Sequence, residues 1–289
     1  AMGFFQGGPG NGTGAVNAKV NAVTAGGVLW VQAAGDQAQR HWTGASSDGP
    51  NNEWVGFNPA ASHKITATQG APVEIVVKWN DPYGASANDY DLLLCATDAC
   101  LNAADVLADS RDPQDGTQNP EERITLTGGP VGGAPFTGDY FLKVKRFKAT
   151  GTSTFHIHVT SPNPSPNVLS FTPSSAEKSL AIPADNANAF VIGAVNHASA
   201  TIIEPFSSLG PTIDGRIKPD LAGPDGVQTA TLGAFGGTSA AAAHVAGAAA
   251  LVKQANPGFT AAQIRDFLTG RAVPLGSPLP NNTFGWGRL

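Results

Sequence analysis

The sequence predicts an α/β fold in which a parallel-sheet domain is interrupted by an inserted antiparallel β-sandwich. Three observations carry this expectation. A small-apolar helical pattern over 15–23 leads into the continuous apolar run Val28-Leu29-Trp30-Val31. The stretch 53–161 holds several short strand patterns punctuated by Pro and Gly, and no helical pattern. After it the chain returns to a buried strand and a long apolar helix. At ~150 residues per domain, 289 residues suggest about two domains. The expected division is 1–52, first segment of the α/β domain; 53–161, the inserted sandwich; and 162–289, the second α/β segment.

Each element follows from local pattern. Gly10-Asn11-Gly12-Thr13-Gly14 is a loop. Ala15, Val16, Ala18, Val20, Ala22 and Val23 recur at helical spacing, and Gly26-Gly27 ends the run. An apolar run directly after a helix reads as a buried parallel strand. It leads into Ala33-Ala34-Gly35-Asp36, at the carboxyl edge where open α/β sheets place their sites. In the middle zone the strand patterns are Val73–Trp79, Asp91–Leu94, Arg123–Leu126, Tyr140–Lys145 and Phe155–Val159, with a turn at Thr127-Gly128-Gly129-Pro130. Short strands separated by turn residues predict a sandwich. The Pro-rich stretch 161–167 is a linker. Phe190–Val195 is a buried strand, Gly237–Leu251 a helix apolar on every side and hence central, and Phe259–Thr269 an amphipathic helix with Thr260 as N-cap.

Composition excludes several classes. Hydrophobic residues make up 41% of the chain and charged residues only 13%, which rules out a disordered polyampholyte. Net charge is −5, from 17 Lys and Arg against 22 Asp and Glu, so the basic face of a nucleic-acid binder is absent. No run of about 18 apolar residues exists to span a membrane. The first ten residues lack a basic and an apolar region, so a signal peptide is expected to be absent or removed, and Ala1-Met2 reads as an added start. Few Lys and Cys with abundant Gly, Asn and Thr suit a secreted or cell-surface bacterial protein. Cys95 and Cys100, without a second Cys pair or close His pair, favour a short disulfide over zinc.

Gly236-Gly237-Thr238-Ser239 stands directly before the long helix. A Ser there gains from the positive end of the helix dipole, and the glycines allow close approach of a substrate. A plain N-cap role for Thr238 or Ser239 is the alternative. The longer run Gly237-Thr238-Ser239-Ala240-Ala241-Ala242-Ala243-His244-Val245-Ala246-Gly247 resembles the nucleophile motif of the subtilases, the subtilisin-like serine proteases. Phe206–Asp220, Pro183-Ala184-Asp185 with Val191–Val195, and Phe284-Gly285-Trp286-Gly287-Arg288-Leu289 are similar to further segments in the family's order. Phe5-Gln6-Gly7-Gly8-Pro9 resembles the segment lining the substrate cleft. Val28–Asp36 resembles the strand ending in Ala-Ala-Gly-Asn, whose Asn donates to the oxyanion.

The resemblance implies a subtilisin-like parallel-sheet domain, a polypeptide substrate, Ser239 as nucleophile, position 36 at the oxyanion, and Gly7, Gly8, Gly237 and Thr238 along the substrate. Two departures follow. Position 36 holds Asp, and an ionised Asp donates no hydrogen bond. It donates only if protonated. The family's Asp-Thr/Ser-Gly and His-Gly-Thr motifs, which supply orienter and base, occur nowhere in the chain. His244 lies five residues past Ser239, about 140° round the helix, and cannot face the same site. The chain is therefore expected to be the C-terminal part of a subtilase, carrying the nucleophile and no base, and not to turn over peptides alone.

Val76–Pro82, Asn88–Leu92 and Gly138–Val144 resemble the jelly-roll module attached to several subtilases, here placed as an insertion. Asp81, Asp89 and Asp91 cluster in it, and carboxylates converging with carbonyls suit a structural Ca²⁺; strand-end capping is the alternative. Asp112 and Asp115 carry a weaker version of the same suggestion. His156 and His158 share one strand face without a visible third metal ligand. Two other functions stay open: a peptide-binding pseudoprotease, for which Asp36 is the sign, and a carbohydrate- or surface-binding sandwich in which Trp42, Trp54 and Trp79 stack on sugars. A sheet edge left unpaired predicts self-association.

Overall fold

The computed structural model describes residues 3–47, 52–58, 60–68, 72–127, 137–161, 169–231 and 233–289. Ala1-Met2, the linker residues 162–167 and the turn Gly128-Gly129-Pro130 lie outside them. In chain order the elements are α1 Ala15–Ala25 and β1 Val31–Ala33; then β2 His41–Ala45, β3 His63–Ala67, β4 Val73–Trp79, β5 Asp89–Cys95, β6 Val106–Ser110, β7 Glu121–Leu126, β8 Gly138–Lys148, β9 Thr154–Thr160 and β10 Leu169–Thr172. They continue with β11 Phe190–Asn196, β12 Leu221–Asp225, β13 Val227–Thr229, β14 Gly233–Phe235, α2 Thr238–Ala255 and α3 Ala261–Thr269. The chain forms two compact units, one of 1–38 with 176–289 and one of 39–175.

In the first unit β1, β11 and β12 form a parallel sheet in that order. Alternation along β11 builds its two faces. Phe190, Ile192 and Ala194 pack against Ala241, Val245 and Ala249 of α2 and against Ile264 and Leu268 of α3. Val191 points the other way, into a cluster with Val20 of α1, Ala34 and Leu180. Beneath the sheet the buried Asp220 accepts from Lys218 Nζ at 2.6 Å and from the Val191 amide at 2.7 Å, and it pairs with Arg265. Thr260 is the N-cap of α3, as the sequence predicts, and Gln263 completes a capping box with it.

Two expectations for this unit are corrected. The strand predicted at Val28–Val31 forms at Val31–Ala33, and Val28 is 50% exposed. Gly26 and Gly27 close α1, and three residues more are needed before the chain meets β11 in register at Val31↔Phe190. Helix α2 is not buried all round. Thr238, Ala240, Ala241, Ala242, Val245, Ala249 and Val252 are buried, while Leu251 is 67% exposed. A three-stranded sheet covers only one side of an Ala-rich helix.

The second unit is an antiparallel sandwich of a five-stranded sheet, β10-β3-β8-β5-β6, and a four-stranded sheet, β2-β9-β4-β7. Their inner faces share one core, with Ile65, Tyr90, Leu92, Leu142 and Phe171 from one sheet and Trp42, Ile75, Val77, Trp79, Phe155 and Ile157 from the other. The predicted strands all form: Val73–Trp79 with the predicted bounds, the other four extended by one to three residues at one or both ends. The unit boundaries differ from the expected 52/53 and 161/162. Strand β2 pairs with β9, and β10 pairs with β3, so both belong to the sandwich. Cys95 and Cys100 form a disulfide, packed with Leu93 outside the main core.

Candidate active site

The carboxyl end of β1 and the amino end of α2 meet in the first unit. Gly237, at φ 92°, turns the chain into the helix, and Thr238 and Ser239 are its first two residues. Residues at that end have no intrahelical acceptor for their amides, so those N–H groups are available to anions. A cleft of about 180 Å³ opens here, lined by Gly3, Phe5, Gly35, Asp36, Thr238 and Ser239 among others. Ser239 is half-buried. Among the described residues no side chain hydrogen-bonds its hydroxyl.

Asp36 is fixed as an acceptor. Its Oδ1 receives the Thr238 amide at 2.9 Å and the Thr238 hydroxyl at 2.7 Å. The Thr238 Oγ1 accepts in turn from the Gly35 amide at 3.1 Å. A Cβ at position 237 would lie 2.8 Å from Asp36 Oδ2, so both the positive φ and the close approach call for glycine. Asp36 lines the same cleft as Ser239. Its Oδ1 is committed to the first turn of α2.

A second carboxylate, unmarked by sequence reasoning, sits behind the same turn. Asp225 ends β12 and is 4% exposed. It lies beside the Gly226 and Gly237 amides, and its Oδ1 is buried with no hydrogen-bond partner among the described residues. Burial raises its pKa above the ordinary carboxylate value, and Glu204 and Asp36 raise it further, against the pull of the two amides. The one available signal was its place at a strand's carboxyl end, directly before a glycine.

The remaining predicted residues fall as follows. The cleft wall from the N-terminal segment is Gly3 and Phe5, ahead of the expected Gly7 and Gly8. Gly8 is buried instead, where a Cβ would come 3.0 Å from Ile182 Cδ1. His244 is exposed, and its Nδ1 meets the Ala240 carbonyl on its own helix at 2.9 Å, so it does not serve Ser239. His197 Nδ1 lies 2.9 Å from the Asp225 carbonyl.

In the sandwich, Asp81 is committed to its own loop. Oδ2 accepts the amides of Ala87 and Asn88, and Oδ1 accepts Asn88 Nδ2 at 2.8 Å. Asp89 and Asp91 are both buried, and burial raises the pKa of each. Among the described residues no group of three His, Cys, Asp or Glu side chains is disposed to hold a metal. The expected calcium set of Asp81, Asp89 and Asp91 does not converge there. Trp42 and Trp79 are 5% and 4% exposed in the sandwich core, which withdraws them from sugar stacking; Trp54 lies under the Lys143 ammonium at 5.1 Å. His156 and His158 do share a face, joined by His41 of β2, whose Nε2 is 3.3 Å from His156 Nδ1 and whose ring centroid is 4.5 Å from that of His158.

Comparison with known proteins gives the site its context. Residues 158–287 match the Subtilase family. Subtilisin BL of Lederbergia lenta is 38% identical over 124 residues, 42% of this chain and 42% of that protein. A subtilisin of Bacillus pumilus is 38% identical over 104 residues, 36% of this chain and 37% of that protein. The matches thus span about two fifths of these relatives' length. The structure of the Clostridium perfringens CspB protease shares the fold over 100% of this chain and 64% of that one, with TM-score 0.67 at 18% identity.

Proposed function

We propose that this chain, whose residues 158–287 carry the subtilase match, supplies the nucleophile side of a serine endopeptidase acting on peptide bonds in polypeptides. The observation that carries the reading is the shared cleft of Ser239, Asp36 and Phe5 at the amino end of α2. Ser239 Oγ attacks the scissile carbonyl carbon. The carbonyl oxygen takes up negative charge toward the Ser239 amide, which the helix end leaves without an intrahelical acceptor. Proton transfer is assigned to residues outside these 289, because the two family motifs that supply it do not occur in them. An ionised Asp36 gives the oxyanion no second donor, a loss worth about 10²–10³ in rate.

A second reading, a peptide-binding pseudoprotease, is favoured by one observation: Asp36 accepts two hydrogen bonds from Thr238 where a donor would serve catalysis. Titrating the labelled chain with an unstructured peptide tests both. Amide shifts confined to Gly3, Phe5, Gly35, Asp36 and Ser239 with the peptide intact support a cleft that binds and does not cleave. Scattered or absent shifts overturn the cleft assignment. Cleavage places a base inside the chain. The disulfide supports an exported, secreted or cell-surface, bacterial setting, since such bonds persist in oxidising compartments. No helix among the described residues is long and apolar enough to cross a membrane.

A further inference from the structure

The cleft beside Ser239 presents acceptors and no cation. Asp36 Oδ1 is taken by the Thr238 amide at 2.9 Å and the Thr238 hydroxyl at 2.7 Å. Its Oδ2 enters no hydrogen bond or ion pair among the described residues. Gln37, the next residue, also lines the cleft, and its Oε1 is buried with no hydrogen-bond partner among the described residues. The neighbouring backbone acceptors are already used, the Gly35 carbonyl by the Ser208 amide and the Ala34 carbonyl by the Ala181 amide. Phe5, Ala33 and Ala181 give the same cleft an apolar wall. Among the described residues that line it there is no Lys, Arg or His.

Resting on the reading of this cleft as the polypeptide site, we propose that it selects a basic side chain, the ammonium of a lysine or the guanidinium of an arginine, received by Asp36 Oδ2 and Gln37 Oε1. Asp36 and Gln37 are both half-buried. A half-buried carboxylate without a counter-ion and an acceptor without a donor both carry a cost that an entering cation removes. The charge is not cancelled from within: the end of α2 supplies only about half a positive charge, and the Thr238 bonds that deliver it go to Oδ1. A cationic donor makes a stronger hydrogen bond to a carboxylate than a neutral donor does. The alkyl stem of lysine or arginine covers apolar surface while its head stays with the polar groups, which suits a wall of Phe5, Ala33 and Ala181 leading to two acceptors. The cleft holds about 180 Å³, less than the roughly 300–1,000 Å³ of sites that engulf a whole small molecule, and so fits one side chain of a longer polymer. An acidic side chain is refused by the same carboxylate, and an apolar one of equal length leaves both oxygens unpaired.

Amide-detected titration of the full chain tests this with three N-acetylated, C-amidated peptides, Ala-Ala-Xaa-Ala, in which Xaa is lysine, norleucine or glutamate. In low salt the lysine peptide is expected to bind at least about tenfold tighter than the norleucine peptide, with shifts at Gly35, Asp36, Gln37 and Ser239, and the glutamate peptide weakest. Salt at about 0.5 M narrows the gap. Asp36→Asn brings the lysine and norleucine peptides together, because asparagine keeps an acceptor for Thr238 and loses the charge. Equal binding of these two peptides at the cleft of the unaltered chain overturns the selectivity and leaves the polypeptide reading of the cleft standing. A lysine preference that survives Asp36→Asn, or one whose shifts lie away from the cleft, overturns the proposal. A tetra-alanine peptide with a free amino terminus that binds as tightly as the lysine peptide overturns the side-chain assignment in favour of a chain-end ammonium. No binding by any peptide overturns the proposal and the cleft reading together. Should Asp36→Asn fail to fold, the lysine and norleucine peptides on the unaltered chain decide alone.

Discussion

One carboxylate, Asp36, decides how the cleft beside Ser239 can be used. Its two bonds to Thr238 cap α2 from outside the helix, the service an N-cap side chain performs from within, because Gly237 has no side chain to offer. Asp36→Ala is expected to cost about 1–2 kcal/mol in urea denaturation, and Asp36→Asn much less, since an amide oxygen still accepts. Equal losses for the two would contradict a capping role. The place of Asp36 was legible in the sequence, because Ala-Ala-Gly-Asp follows an apolar run and carries the family resemblance. Its bonding was not: Thr238 lies 202 residues away, and no local pattern encodes which neighbour a loop carboxylate will meet. Asp225 was illegible for the same reason. Its burial comes from the convergence of β12, the Gly-Gly turn and Glu204, none of which is a motif. Gly7 and Gly8 show the opposite limit, in that a motif pointed to the right segment but the cleft is walled by Phe5 and Gly3.

Among the elements, strands with strong patterns, such as Val73–Trp79, were readable to the residue, while β2, β3, β6 and β10 were missed because their apolar runs are short or broken. The missing β2 moved the expected boundary of the sandwich and hid His41 from the His156–His158 face. The sandwich also carries opposing titrations. Glu122, 1% exposed, accepts from Ser110 Oγ and from Gln114 Nε2, and burial raises its pKa from 4.5 to about 7. It stays protonated in the native state up to about pH 7, so its contribution is full below pH 4.5 and is lost as pH rises through 7. His63 is held down to about 3 by burial, and His158 is also lowered, first by burial and then by His41, Lys78 and His156. Both are neutral in the native state, so their contribution is present above pH 6.5 and is lost on acidification. Glu122→Gln keeps both hydrogen-bond partners and removes the alkaline loss. Relative to the unaltered chain it is expected to gain about 2–3 kcal/mol at pH 8 over pH 5 in urea denaturation. An unchanged difference between the two pH values would show that Glu122 ionises normally in the fold.

At the scale of the molecule, the α/β unit leaves surface that its own described residues do not cover. No described strand pairs along the outer edge of β1, and Leu251 of α2 is 67% exposed on the helix face turned from the sheet. An open edge beside an apolar helix face favours association. Light scattering on the size-exclusion peak is expected to show a dimer or larger at micromolar concentration, shifted toward monomer by Leu251→Glu; a clean monomer for the unaltered chain would contradict this. The same unit holds what we propose to be the nucleophile end of a peptidase site, and the two family motifs that would supply its proton carriers do not occur in the sequence. The most direct measurement of that claim is a time course of fluorophosphonate labelling followed by intact mass and peptide mapping. The account predicts slow modification concentrated on Ser239, rising with pH and abolished by Ser239→Ala. Rapid stoichiometric labelling of Ser239 at neutral pH would contradict it by revealing a base within the chain.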